Sequence, residues 1–171
     1  KWGRTCSPDD VPTTSIAYPT CYERLQQSVR PRWTIAVSSG AEVSAYDIVN
    51  DQPVWRTRLT GDATASSNES KFGFANGVLL APFWTAQAGN GFVYALDSDS
   101  GRVLWRFSTG APGIRGPAIA NGVVYITGWQ SRKVFALDLK DGRELWSAEL
   151  HASPSGDPIV AYGYLFLPVG D

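Results

Sequence analysis

One motif occurs three times in this chain, and it constrains the fold more than any other feature of the sequence. Each copy has an alanine, an aspartate two residues later and a tryptophan ten residues after the alanine. The copies begin at Ala45, Ala95 and Ala136. Their tryptophans, which lie 50 and 41 residues apart, are Trp55, Trp105 and Trp146. A repeat of about 40 to 45 residues is typical of four-stranded β-propeller blades.

A second motif runs in step with the first. It is a glycine followed by three apolar or aromatic residues, and it occurs at Gly77, Gly122 and Gly163, with steps of 45 and 41 residues. Asn-Gly between two short apolar runs predicts a tight β-hairpin turn. Each repeat is therefore predicted to be a small antiparallel meander. One meander cannot bury both of its faces, so neighbouring repeats must stack.

The aspartate and glycine of the first motif predict a second hairpin turn in each repeat. Asp97 can accept hydrogen bonds from backbone amides, and Gly101 can take a positive φ. Asp138 and Gly142 repeat this pair, whereas the first copy carries Asp51 in place of the glycine.

The three motif tryptophans are predicted to pack between adjacent sheets. An indole ring is large enough to cover such a gap, a small alanine opposite leaves room for it, and its N–H needs an acceptor when buried. The alternative is a core tryptophan within a single sheet. Both interpretations make these residues structural rather than catalytic.

The pattern Ala-x-Asp-x-x-x-Gly-x-x-x-Trp resembles the tryptophan-docking motif of repeats found in proteins that bind pyrroloquinoline quinone (PQQ). The resemblance covers residues 33–171, and residues 116–125 also resemble polyvinyl-alcohol-dehydrogenase repeats. It implies an all-β fold, a partial propeller of about three to four blades that ends within a blade. A closed ring of six or more blades needs over ~240 residues. We therefore expect a fragment of a longer chain, with the remaining blades coming from the same chain or from another chain.

Residues 1–32 are predicted to form an irregular leader. It contains Cys6 and Cys21, which would close a short loop if they form a disulfide, and two free thiols are the alternative. Asn68 begins an Asn-x-Ser glycosylation sequon. Together these features favour an oxidising compartment, so we expect a secreted or periplasmic protein.

Charge and composition exclude several classes of function. Fifteen basic and 16 acidic residues give a net charge of −1, which does not favour nucleic-acid binding. No apolar run approaches the ~18 residues of a membrane span. His151 is the only histidine, so neither a histidine-based metal site nor a Ser-His-Asp triad is expected.

Three residues outside the docking motif are candidates for binding. Trp84 and Trp129 each lie seven residues after a repeated glycine, just past the second predicted strand, and Arg115 precedes a predicted strand. Aromatic plates with a guanidinium would suit a planar anionic quinone or a sugar. Simple packing beneath loops is the alternative.

The resemblance leaves two classes of function open. The first is a binding or scaffold module for a protein or a glycan. The second is part of a PQQ-dependent dehydrogenase that oxidises alcohols, sugars or polyvinyl alcohol. In enzymes of this family the quinone lies on the ring axis, often with calcium. We expect no cofactor within this segment, and PQQ with calcium only in the full-length protein.

Overall fold

The computed structural model describes residues 33–38, 42–47, 50, 52–59, 65–66, 71–85 and 89–170. Within these ranges the chain forms 16 strands. Their bounds, in chain order, are β1 Trp33–Ser38, β2 Glu42–Asp47, β3 Gln52–Arg58, β4 Ala65–Ser66, β5 Gly73–Ala75, β6 Val78–Thr85, β7 Asn90–Asp97, β8 Val103–Ser108, β9 Ile114–Ala120, β10 Val123–Gly128, β11 Lys133–Asp138, β12 Glu144–Glu149, β13 Ser153–Pro154, β14 Ile159–Ala161, β15 Tyr164–Phe166 and β16 Val169–Gly170.

The strands form three successive antiparallel sheets and a small terminal unit. Sheet I has the order β1-β2-β3, sheet II the order β4-β6-β7-β8 with β5 also paired to β6, and sheet III the order β9-β10-β11-β12. The terminal unit consists of the β14–β15 hairpin and the β13–β16 ladder. The prediction of an all-β, partial propeller is confirmed. In the described part of the chain, no helix is long and apolar enough to cross a membrane.

Sheet II is buried on both faces because alternate residues of a strand point to opposite sides. Leu79, Ala81 and Phe83 of β6 pack towards sheet I, whereas Leu80 packs towards sheet III. We call the two packed layers the first seam and the second seam. The buried members of the first seam are Val43, Ala45, Trp55, Leu59, Leu79, Ala81, Phe83, Tyr94 and Leu96. Those of the second are Leu80, Val93, Ala95, Trp105, Ile114, Val124, Ile126, Phe135, Leu137 and Leu139.

All three sheets carry the same irregularity beside the motif tryptophan. Each motif alanine pairs with its tryptophan, and the ladder shifts by one residue at the next pair. The extra residue is Val54, Leu104 or Leu145, which are 51%, 37% and 40% exposed. A bulge of this kind bends the strand and re-aims its side chains. The bulge therefore lets the tryptophan side chain point away from its own sheet and towards the neighbouring sheet.

The turns before β6, β10 and β15 share one backbone conformation. Asn76, Asn121 and Tyr162 have φ values of 52°, 51° and 53°, and each is followed by a glycine with positive φ. Two successive residues with positive φ match the right-handed twist of a hairpin. Asn visits this left-handed region readily, but a bulky aromatic residue does so at a cost of about 1–2 kcal/mol. Tyr162, which is 97% exposed, gains no compensating burial.

We predict that Tyr162→Asn stabilises the chain by about 0.5–1 kcal/mol, because Asn adopts positive φ at a lower cost. Denaturant unfolding curves measure this change, and Tyr162→Phe is the control because it keeps the cost and should leave the midpoint unchanged. A midpoint that falls with Asn would show that the tyrosine ring makes a stabilising contact.

Candidate functional site

The first and second seams are each joined by an indole hydrogen bond. Trp55 Nε1 donates to the Ser98 carbonyl oxygen at 2.9 Å, and Trp105 Nε1 donates to the Leu139 carbonyl oxygen at 2.9 Å. Both rings are buried, at 9% and 8% exposure. Both acceptors immediately follow the motif aspartate of the next repeat. The two contacts are therefore repeats of one arrangement.

The motif glycine lies directly against the ring. A Cβ built on Gly142 would lie 2.5 Å from an atom of the Trp105 ring, and one built on Gly101 would overlap the Trp55 ring. Both glycines have positive φ, 72° and 71°. Two independent reasons therefore favour glycine at these positions. The backbone has a positive φ, and the tryptophan ring leaves no room for a Cβ.

Hydrogen bonds within the turn fix the direction of the acceptor carbonyl. The Asp97 carboxylate accepts from the Ser100 hydroxyl at 2.7 Å and from the Ser100 amide at 2.9 Å. These bonds from Ser100 hold the pKa of Asp97 below its ordinary value, because they favour the charged carboxylate. The Ser98 amide donates to the Gly77 carbonyl at 2.9 Å, and Leu139 repeats this contact with Gly122 at 2.9 Å. These hydrogen bonds therefore join the Asp-x-x-x-Gly turn to the Asn-Gly turn of the same sheet.

Trp146 lies on sheet III in a different environment. Its side chain is 45% exposed, and its ring centroid lies 6.0 Å from that of Tyr125 in the same sheet. Strand β9 of the same sheet contacts the terminal unit, where the Gly116 amide donates to Asp157 Oδ1 at 2.9 Å. This hydrogen bond between repeats involves no residue of the repeated motif, and no sequence pattern predicted it.

The structure brings two of the candidate binding residues to one end of sheet III. The Trp129 amide donates to the Gly113 carbonyl at 3.1 Å, in the turn that follows β10, and its ring is 48% exposed. Arg115 is half-buried in β9, where it pairs with Thr127. The expectation that Arg115 precedes the strand is wrong, because β9 already begins at Ile114.

Trp84 does not lie past its strand, as Trp129 does. It belongs to β6 and pairs with Gly91 and Ser66, because β6 continues along both β7 and β4. Its side chain lies outside the described residues, so the equivalence of the two rings remains a prediction. Cys6, Cys21 and Asn68 also lie outside the described residues, as does the leader.

Two buried threonine hydroxyls differ in their hydrogen-bond partners. Thr109 Oγ1 lies 3.2 Å from the Gly91 carbonyl oxygen and 2.9 Å from that of Ala111. Thr127 is 1% exposed, and its Oγ1 has no hydrogen-bond partner among the described residues. A buried hydroxyl without a partner costs about 1–3 kcal/mol.

The described ranges contain no group of three or more histidine, cysteine or acidic side chains that could hold a metal ion. His151 is exposed in the connection between β12 and β13.

Comparison with known proteins agrees with this architecture. Residues 89–171 match the family model described as outer membrane protein assembly factor BamB. BamB from Moraxella catarrhalis is 20% identical, with a TM-score of 0.62 over 81% of this chain and 40% of that chain. A quinohemoprotein alcohol dehydrogenase from Pseudomonas putida is 15% identical, with a TM-score of 0.58 over 80% of this chain and 29% of that chain. Sqt1 from Saccharomyces cerevisiae is 12% identical, with a TM-score of 0.61 over 80% of this chain and 38% of that chain. No curated protein matches the sequence.

The three stacked sheets and their seams define this chain as an arc of a β-propeller. Residues 89–171 match a PQQ-like repeat family model, and the likeness to the BamB and quinohemoprotein structures shows the propeller fold. The chain spans less than half the length of each of these similar structures.

We predict that Gly142→Ala destabilises the chain more than Gly122→Ala does. Both glycines have positive φ, 72° and 76°, so both substitutions carry the backbone cost of about 1 kcal/mol. Only position 142 adds an overlap with the Trp105 ring, since nothing lies within 4 Å of a Cβ at Gly122. The overlap should add about 1–3 kcal/mol. Urea unfolding measures both variants, and equal losses would contradict the close contact.

We predict opposite effects for the same substitution at two threonines. Thr127→Val removes a buried hydroxyl without a partner and should stabilise the chain by about 1 kcal/mol. Thr109→Val removes a bonded hydroxyl and should destabilise it by a similar amount. Thermal unfolding of the two variants side by side tests this prediction. A loss at Thr127 would reveal a partner for its hydroxyl.

Proposed function

We infer that this chain is part of an extracytoplasmic propeller that acts as a binding or scaffold module. The ring is completed by remaining blades, and its faces hold a protein or a glycan. The observation that carries this proposal is that one indole contact joins successive sheets twice, whereas the third motif tryptophan, Trp146, is 45% exposed. The arc is therefore built to extend by further contacts of the same kind.

The terminal hairpin supports the same conclusion. Ile159, Tyr164 and Phe166 are 59%, 69% and 52% exposed, and the two aromatic rings lie 6.4 Å apart. Contiguous exposed apolar side chains of this size mark interaction surfaces in soluble proteins. Phe166 and Tyr164 correspond in sequence to Leu80 and Val78, which pack in the second seam. Further blades are thus the occupants that we propose for this surface.

The family model described as an outer membrane protein assembly factor supports an extracytoplasmic location, either secreted or periplasmic. Cys6 and Cys21 of the leader would favour the same compartment if they form a disulfide. We propose no membrane span and no nucleic-acid partner for this segment.

The end of sheet III favours a second candidate function. Arg115 and the half-exposed ring of Trp129 lie at the same end of one sheet. A guanidinium beside an aromatic face can bind a planar anionic ligand. In a full-length protein these residues would hold PQQ, which supplies the redox chemistry of a dehydrogenase, with calcium. The likeness to the quinohemoprotein alcohol dehydrogenase concerns the fold alone.

Titration of the full-length protein with PQQ and Ca²⁺ separates the two candidates. A scaffold protein should give no saturable change in quinone absorbance and no dye reduction with alcohols or sugars. A dehydrogenase should give both, and Trp129→Ala should weaken quinone binding while His151→Ala, at an exposed position, should not. Saturable PQQ binding together with dye reduction would contradict the scaffold proposal and support the dehydrogenase.

A further inference from the structure

Trp129 is held at its base by the loop that precedes β9. Its amide donates to the Gly113 carbonyl at 3.1 Å, and the Gln130 amide donates to the Pro112 carbonyl at 3.4 Å. A Cβ built on Gly113 would lie 2.9 Å from Trp129 Cβ and 3.2 Å from its Cε3. The backbone of Gly113 therefore supports one side of this residue, while 48% of its side chain stays exposed.

The turn that carries Trp129 is fixed by further contacts on its far side. The Ser131 hydroxyl donates to the Gly128 carbonyl at 3.3 Å, and the Leu150 amide donates to the Arg132 carbonyl at 2.7 Å. A Cβ built on Gly128 would overlap the Ser131 side chain and lie 3.6 Å from Thr109 Cβ. The indole is thus positioned before any ligand binds, which lowers the entropic cost of binding.

The surroundings of this indole are polar. Within residues 109–115 and 127–133, all of which are described, Trp129 is the only exposed large hydrophobic side chain. Gln130 and Arg132 in the same turn are exposed and can form hydrogen bonds. A protein interface needs a contiguous apolar core. A single ring among polar groups fits instead a sugar, which has one small apolar C–H face surrounded by hydroxyls.

Cationic side chains outnumber carboxylates at this end of sheet III. Arg115, Arg132 and Lys133 lie there, with Glu149 opposite Lys133 in the ladder and with Asp157, which accepts a backbone amide. Arg132 is exposed in the same turn as the indole, so its guanidinium can reach solvent ligands. A guanidinium binds a carboxylate through two parallel hydrogen bonds. The charge therefore favours an acidic sugar over a neutral one.

A sugar ring also suits a single aromatic plate better than a flat quinone does. A conjugated planar ligand gains most when aromatic or apolar groups cover both of its faces. A pyranose ring presents C–H groups mainly on one face, so one indole is enough. Among the described side chains of these two segments, one exposed ring is what this end offers.

We propose that Trp129 is a stacking platform for a uronate residue of an acidic polysaccharide, and that Arg132 binds the carboxylate of that sugar. The interaction is non-covalent. The inference rests on the proposed function, in which the propeller holds a protein or a glycan, and it assigns the Trp129 end of sheet III to a glycan.

The test is isothermal titration calorimetry of the full-length protein with matched sugars. The acidic probes are the trimers of galacturonate, glucuronate and mannuronate, and the neutral probes are the corresponding hexose trimers, which lack only the carboxylates. The variants are Trp129→Ala, Trp129→Phe and Arg132→Gln. Trp146→Ala is the control, because that indole is 45% exposed but lies elsewhere on sheet III. Circular dichroism checks that each variant folds.

We expect at least one acidic trimer to bind about tenfold more tightly than its neutral counterpart. Trp129→Ala should weaken this binding at least about tenfold, Trp129→Phe should weaken it less, and Trp146→Ala should leave it unchanged. Arg132→Gln should remove most of the preference for the acidic sugar while binding of the neutral sugar is kept.

The proposal is overturned if no acidic trimer binds, if the neutral trimers bind equally well, or if binding survives Trp129→Ala. These results would leave the scaffold proposal standing with a protein as its ligand. Dye reduction with PQQ would contradict the scaffold proposal whatever the sugars do, so the two failures are distinguishable.

Discussion

The hydrogen bond from an indole N–H to a backbone carbonyl of the next sheet is the contact on which this arc depends. In the described ranges the buried apolar residues lie between neighbouring sheets, so stability comes from packing sheet on sheet. The indole bond fixes the register of that packing, because one acceptor lies at one position of the next turn. Its net contribution is about 1 kcal/mol, but leaving the buried N–H without a partner would cost more.

Three local features combine to make this contact. The bulge turns the tryptophan out of its strand, the small alanine opposite leaves room, and the positive-φ glycine of the neighbouring sheet admits the ring. The Asp97 carboxylate and the Ser100 hydroxyl hold the acceptor turn in place. These features lie on different sheets, so changing one of them affects its neighbour across the seam. The seam is therefore cooperative even though each repeat is short.

The stacked sheets leave two kinds of surface that can take part in function. A propeller arc offers two kinds of surface, namely seam faces that accept further blades and strand ends that face the ring opening. Trp146 and the terminal hairpin expose apolar side chains, whereas Trp129 and Arg115 lie at one end of sheet III. Chemistry in such a fold depends on what the strand ends carry, since the same blades occur in proteins of different function. In the two described seams, a glycine of the neighbouring turn admits the tryptophan ring.

The sequence by itself determined the repeat, the all-β class and the short hairpins, because period and turn chemistry are local properties. It also pointed to Trp55 and Trp105, since a large ring repeated at blade spacing needs a partner in each repeat. It did not reveal the bulges at Val54, Leu104 and Leu145, the extension of β6 past Trp84, or the tie from Asp157 to Gly116. Those depend on strand register and on contacts between distant repeats. Only the tertiary structure decided them, because pairing across sheets is set by packing that no short stretch of sequence specifies.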